Sequence, residues 1–250
     1  MSTRIHVQIF PTPEAVAHAA AEAIADQVRT KPDSVLGFAT GSTPEKTYVE
    51  LARLHREQKL SFARVTSFNL DEYLGLDSDH AQSYRAFMQD RLFQHIDIKP
   101  WNTHVLNGRT LNPRAECEAF ELKIAASGGI DLWLLGIGTN GHVAFNEPGS
   151  SVDSRTRLVA LSQSTIEANS DGRFFSRPQD VPRCALTAGI STIRESRSLL
   201  LLATGPKKAQ AVANALHGPF TPDCPASLLQ DHPDCRFFID QEAASLLPNH

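Results

Sequence analysis

A chain of 250 residues, 41% of them hydrophobic, can bury a sizeable core, and with no Pro/Gly/Ser linker dividing it residues 1–250 read as one domain. A net charge of −4, with acids and bases interspersed, offers no basic field to draw nucleic acid. Four cysteines without a C-x-x-C pair, an amino terminus (MSTRIHVQIF) without an apolar leader, and no apolar run near the roughly 18 residues of a span predict a cytoplasmic protein with no membrane partner.

Short β-branched runs then alternate with segments of helical period. Strands are predicted over Ile5 to Phe10, Ser34 to Thr40, Arg64 to Leu70, Asp131 to Ile137, Ser198 to Thr204 and Arg236 to Ile239. Helices are predicted over Glu14 to Arg29, Pro44 to Arg56, Ser83 to His95, Pro113 to Ala126 and Pro206 to Leu216. The alternation implies an α/β fold with an open, mostly parallel, Rossmann-like sheet and helices on both faces. From Ser150 to Pro182 the chain turns polar, and an excursion this long predicts a lid-like segment.

Two loops on the carboxyl edge of such a sheet suit a phosphate. LGFATGSTPEKTY runs from a strand through Gly41, Ser42 and Thr43 into a helix. Pro44 is placed to open that helix, and Ser42 and Glu45 have capping-box spacing. A glycine turn at a helix amino end offers backbone N–H groups to an anion, although the same residues also describe an ordinary capped helix. LLLLATGPKKAQAV repeats the arrangement, with Lys207 and Lys208 in a first turn where cations oppose the dipole. Together the loops suggest a phosphorylated small molecule.

SFNLDEYLGL places Asp71, Glu72 and Tyr73 after the third strand, and LWLLGIGTNGHVAFNEPG delivers His142 and Glu147 from the fourth. Gly136, Gly138 and Gly141 spell G-x-G-x-x-G, but no helix starts at the last glycine, and Asn146 to Gly149 read as a turn. A dinucleotide site is therefore not expected. A carboxylate beside a sugar can move a proton between adjacent carbons, and a carboxylate-oriented histidine can serve a ring oxygen. That chemistry needs no cofactor. No metal is expected either, since His142 has no partner at ligand spacing and His80, His95 and His104 form no cluster.

With TGSTPEKTY, SFNLDEYLGL, GIGTNGHVAFNEPGS, SRTR at Ser154 to Arg157, and ATGPKKA, the chain closely resembles the glucosamine-6-phosphate deaminase family, from about Leu36 to Asp240. The resemblance implies that Asp71 shuttles a proton between C2 and C1, that His142 opens the pyranose ring, and that Glu147 orients His142. Asn140 stands where many members carry an acid, so an amide would hold the histidine. It further implies that Gly41, Ser42, Thr43, Lys208 and Arg173 bind phosphate, and that Arg157 is an effector contact. Val159 replaces the lysine expected in allosteric members, which predicts weak or absent activation.

The reading that results is an enzyme converting D-glucosamine 6-phosphate and water to D-fructose 6-phosphate and ammonia. The alternatives are a galactosamine-6-phosphate deaminase, a 6-phosphogluconolactonase-like hydrolase and a non-catalytic sugar-phosphate sensor. Asn146 to Gly149 favours the deaminase over the lactonase, and the set Asp71, His142 and Glu147 favours an enzyme over a sensor. Assembly into a homo-oligomer is left open by the sequence.

Overall fold

The computed structural model describes residues 5–170 and 175–248. After β1 (His6–Phe10) the Thr12 hydroxyl accepts the Ala15 N–H, and Pro13 enters α1 (Pro13–Thr30) with φ already set. Val16, Ala20, Ile24 and Val28 then recur along one buried side of α1. The chain continues through β2 (Val35–Phe38), α2 (Ser42–Gln58), β3 (Thr66–Asn69), β4 (Asp71–Tyr73) and α3 (Tyr84–Arg91). Next come β5 (Thr103–His104), α4 (Pro113–Ala126), β6 (Leu132–Gly136), β7 (Arg157–Ala160) and α5 (Gln163–Asn169). β8 (Cys184–Thr187), α6 (Ile190–Arg194), β9 (Ser198–Ala203), α7 (Ala209–His217) and β10 (Cys235–Asp240) complete it.

Seven strands form an open sheet in the order β1-β10-β9-β6-β2-β3-β5, every pair parallel. Both faces are covered, so β6 and β9 carry apolar residues throughout rather than alternating. Leu132, Leu134, Leu200 and Leu202 pack into one core with residues of α1, α2 and α3. Trp133, Leu135, Leu199 and Leu201 pack into the other with residues of α4 and α7. Gly37 of β2 is needed here, because a Cβ on it would lie 2.1 Å from the Trp133 indole. The order in which strands are added to the sheet reverses between β2 and β6, which stay parallel, and the crevice beyond that switch point is where such sheets place ligands.

Four features differ from the sequence reading. A second, antiparallel sheet of order β4-β8-β7 was not anticipated, since strands of three or four residues are too short for periodicity to show. The helix predicted over Ser83 to His95 stops at Arg91 and is followed by a 3₁₀ turn. That predicted over Pro206 to Leu216 begins as a 3₁₀ turn, Pro206–Lys208, ahead of α7. The polar segment 150–182 contributes β7 to the second sheet, and among its described residues α5 reaches the crevice, through Thr165 and Asn169. Among the described residues no helix is long and apolar enough to cross a membrane.

Candidate active site

A cleft of about 290 Å³ opens at the switch point, lined by the loops after β2, β3, β6 and β9. The first loop differs from its prediction. Gly41 takes φ +101°, so the chain turns early and Ser42 is already helical, with Pro44 third in the helix rather than first. No side chain caps α2, and the expected Ser42–Glu45 capping box is absent. The first-turn amide groups are thus left without a side-chain acceptor beside the cleft that Gly41, Ser42 and Thr43 line.

The loop after β9 is not its equal. Buried Asp240 takes the Gly205 N–H on both carboxylate oxygens, at 3.1 and 3.0 Å, and the Ala243 N–H at 2.7 Å. Its contribution to the cleft is the Lys208 side chain, while Lys207 is exposed and does not line it. Burial pushes the Lys208 ammonium below the usual lysine range, and among the described residues no carboxylate lies within ion-pair distance of it. An anion in the cleft would supply the missing partner.

Strand β4 separates the two neighbouring acids. Asp71 lines the cleft and is buried, and desolvation, with Glu72 adding to it, lifts its carboxyl well above the usual carboxylate range. Glu72 is structural: it accepts the N–H groups of Tyr73 at 2.9 Å, Tyr84 at 2.9 Å and Arg85 at 3.1 Å, fastening the start of α3. Tyr73 joins Phe145 and Phe175 in an apolar cluster beside the cleft.

The glycines of GIGTNGH shape the third loop. The imidazole of His142 lies against Gly138, where a Cβ would come within 2.2 Å of the ring. Gly141 adopts φ +85° against Cys224, whose Sγ would be 2.6 Å from a Cβ. No helix starts there, and Val143 and Asn146 close a tight turn instead. His142 lines the cleft, and its Nδ1 stands 3.7 Å from Glu147 Oε2. Asn140 donates to the same oxygen at 2.8 Å and accepts the His142 N–H at 3.2 Å. Burial works against the Glu147 charge, but His142, Thr165 and Asn140 outweigh it and hold its carboxyl at about 2. Glu147 and Asn140 stand behind His142 without lining the cleft themselves, Asn140 meeting its backbone N–H while the buried Nδ1 lies beyond hydrogen-bond distance of Glu147.

Arg157 is half-buried and donates to Asn146 Oδ1 at 2.8 Å and to Ser150 Oγ at 3.2 Å, bracketing Glu147 on the loop between them. Arg173 lies outside the described residues. Tyr84, Thr165 and Asn169 line the cleft and were missed from sequence. Tyr84 stacks on Phe145 at 6.0 Å, and burial, then the charges of Tyr73 and Asp71, keep its phenol well above the usual range. No motif marks it, because it arrives through the packing of α3. Among the described residues no group of three His, Cys, Asp or Glu side chains is placed to hold a metal ion.

An open parallel sheet with an uncapped helix end, a desolvated lysine and a buried carboxylate around one cleft defines an α/β protein suited to a small anionic ligand. The chain belongs to the family described as Glucosamine-6-phosphate isomerases/6-phosphogluconolactonase, which it matches over residues 11–237. It is 54% identical to glucosamine-6-phosphate deaminase 1 of Giardia intestinalis over 92% of this chain and 86% of that one. Against glucosamine-6-phosphate deaminase 1 of Bacillus subtilis (strain 168) the identity is 49%, over 95% and 97%. The solved structure of a monomeric glucosamine-6-phosphate deaminase of the NagB superfamily matches with TM-score 0.94 and 48% identity, over 97% of this chain and 100% of that one. A 6-phosphogluconolactonase from Trypanosoma cruzi shares the fold, with TM-score 0.78 and 22% identity over 99% and 98%.

Proposed function

We propose that this chain is a glucosamine-6-phosphate deaminase, converting D-glucosamine 6-phosphate and water to D-fructose 6-phosphate and ammonia. The observation that carries the reading is the convergence of Asp71, His142 and Lys208 with the Gly41–Thr43 loop on one cleft, from both sides of the switch point in strand order. The identity to deaminases in three sources supports it over the lactonase alternative.

The phosphate sits on the first turn of α2 and against Lys208, and this remote contact positions the reacting carbons. His142, with the Glu147 carboxylate behind its imidazole and Asn140 on its backbone N–H, takes the proton of the anomeric hydroxyl and returns one to the ring oxygen, which opens the pyranose. Asp71 then removes the proton from C2 and delivers it to C1. Its burial makes it a stronger base than a solvated carboxylate, which suits a carbon acid. Removal of the C2 proton gives an enolamine, delivery to C1 turns it into an imine at C2, water adds there, and ammonia leaves. No cofactor enters this sequence.

One domain spans 1–250, with α5 the covering part of segment 150–182. Four unpaired thiols support a reducing, cytoplasmic setting. The Arg157 guanidinium is already engaged within the chain and Val159 removes a cation, so N-acetylglucosamine 6-phosphate activates weakly or not at all. The monomeric relative supports a chain that acts alone, which light scattering checks. The deciding experiment measures ammonia and fructose 6-phosphate released from glucosamine 6-phosphate, with and without that effector. Equal amounts of both products are expected; their absence, with turnover of the galactosamine epimer or of a lactone, would overturn the assignment.

A further inference from the structure

The two oxygens of Glu147 face different parts of the molecule. Oε2 belongs to the catalytic loop, near Asn140 Nδ2 and His142 Nδ1. Oε1 belongs to the start of α5: it accepts the Thr165 hydroxyl, and Ser162 Oγ lies 3.0 Å away. Ser162 also caps α5 by accepting the Thr165 N–H at 3.2 Å, and its Oγ is 3.1 Å from Thr165 Oγ1. Thr165 is 6% exposed, so little water can replace its hydroxyl. One turn on, Asn169 lines the cleft with Thr165, and between them Ile166 is buried against Tyr73, Phe145 and Phe175.

We propose that Thr165 is a positioning residue that latches α5 onto the Glu147 carboxylate, so that covering the cleft and orienting the acid behind His142 are one event. The physical basis is a shared hydrogen bond to a charged, half-buried group. Such bonds are stronger than neutral ones, and losing one leaves the Ser162 hydroxyl as the remaining contact of Oε1 from this segment, in a place where buried Thr165 admits little water. The titratable group facing Glu147 from its own loop is His142. From α5 the contacts are hydroxyls, and Arg157 of β7 reaches Asn146 rather than the carboxylate. The catalytic meaning of the latch rests on the proposed function, whereas the coupling of α5 to Glu147 does not.

Thr165→Val keeps the shape and removes the hydroxyl; Thr165→Ser keeps the hydroxyl. The test reads amide hydrogen exchange across α5 together with the pH profile of ammonia release. Thr165→Val should speed α5 exchange, lower kcat/KM by about 10- to 100-fold and alter its pH profile, with Thr165→Ser restoring all three. Glu147→Gln should loosen the same amides from the other side, and decides the matter should Thr165→Val not fold. Unchanged α5 exchange in both Thr165→Val and Glu147→Gln, or a Thr165→Val pH profile identical to that of the parent, overturns the latch. A parent chain that releases no ammonia from glucosamine 6-phosphate overturns the proposed activity instead, and exchange still reads the latch.

Discussion

Gly138→Ala probes how tightly the glycine-rich loop after β6 holds its histidine, to which the proposed function gives the ring-opening role. A methyl at this position would lie 2.2 Å from His142 Cε1, 2.4 Å from Nδ1 and 2.5 Å from Nε2. With three ring atoms that close, turning the imidazole about its own axis does not clear the clash. The ring must retreat by roughly 1.2 Å to reach ordinary carbon contact at about 3.4 Å. Gly138 is not in the left-handed region, and its bonds to His142 O at 2.9 Å and from Gly141 N at 3.0 Å involve no side chain. The backbone therefore accepts alanine, and the cost falls on the imidazole. A displacement near 1 Å at a reacting group costs about 100-fold. Steady-state ammonia release should show that loss in kcat/KM, while the affinity for a non-reacting hexose 6-phosphate and the unfolding midpoint stay close to those of the parent. A folded Gly138→Ala chain with kcat/KM within about threefold of the parent would refute the claim that this geometry matters, given the 100-fold expected.

Asp71→Asn should abolish turnover and raise the unfolding midpoint at neutral pH, because it removes a desolvated charge. The acid limb of kcat/KM in the parent should lie above the ordinary carboxylate range. Burial raises the Asp71 pKa, so the base is already protonated and inactive at a pH where a solvated carboxylate would still be charged, and a limb near 4 would contradict this. Lys208→Met should raise KM for the phosphorylated sugar by about 10- to 100-fold, the worth of one charge-assisted contact, with little change in kcat. Asn140→Asp replaces a donor 2.8 Å from Glu147 with a second carboxylate. The Glu147 pKa, held at about 2, should rise, as carboxyl NMR titration would report.

The parallel sheet was legible because β6 and β9 are buried on both faces, and such strands print as unbroken apolar runs. The second sheet was not, since Asp71–Tyr73 spans three residues and Arg157–Ala160 has one face on the surface. The site was partly legible. Glycine-rich turns and the acids after strand ends pointed to the carboxyl edge, where the structure gathers Asp71, His142, Lys208 and the Gly41–Thr43 loop. The equality of the two phosphate loops did not survive, because Asp240, thirty-five positions further along, claims the Gly205 amide. The capping box failed for a local reason: glycine at position 41 reaches φ +101° and starts the helix at Ser42, two residues ahead of Pro44.

What the sequence determined alone is whatever depends on neighbours along the chain: strand and helix order, parallel pairing, the positions of tight turns and the residue types able to move protons. The tertiary structure decided which of those groups face each other. Glu72 sits beside Asp71 in sequence yet fastens a helix, while Thr165, 18 residues beyond Glu147, holds the acid behind His142. Local geometry follows from steric and hydrogen-bonding preferences that repeat every few residues. The burial and partners that set a carboxylate's charge come from chain segments brought together only by packing the core.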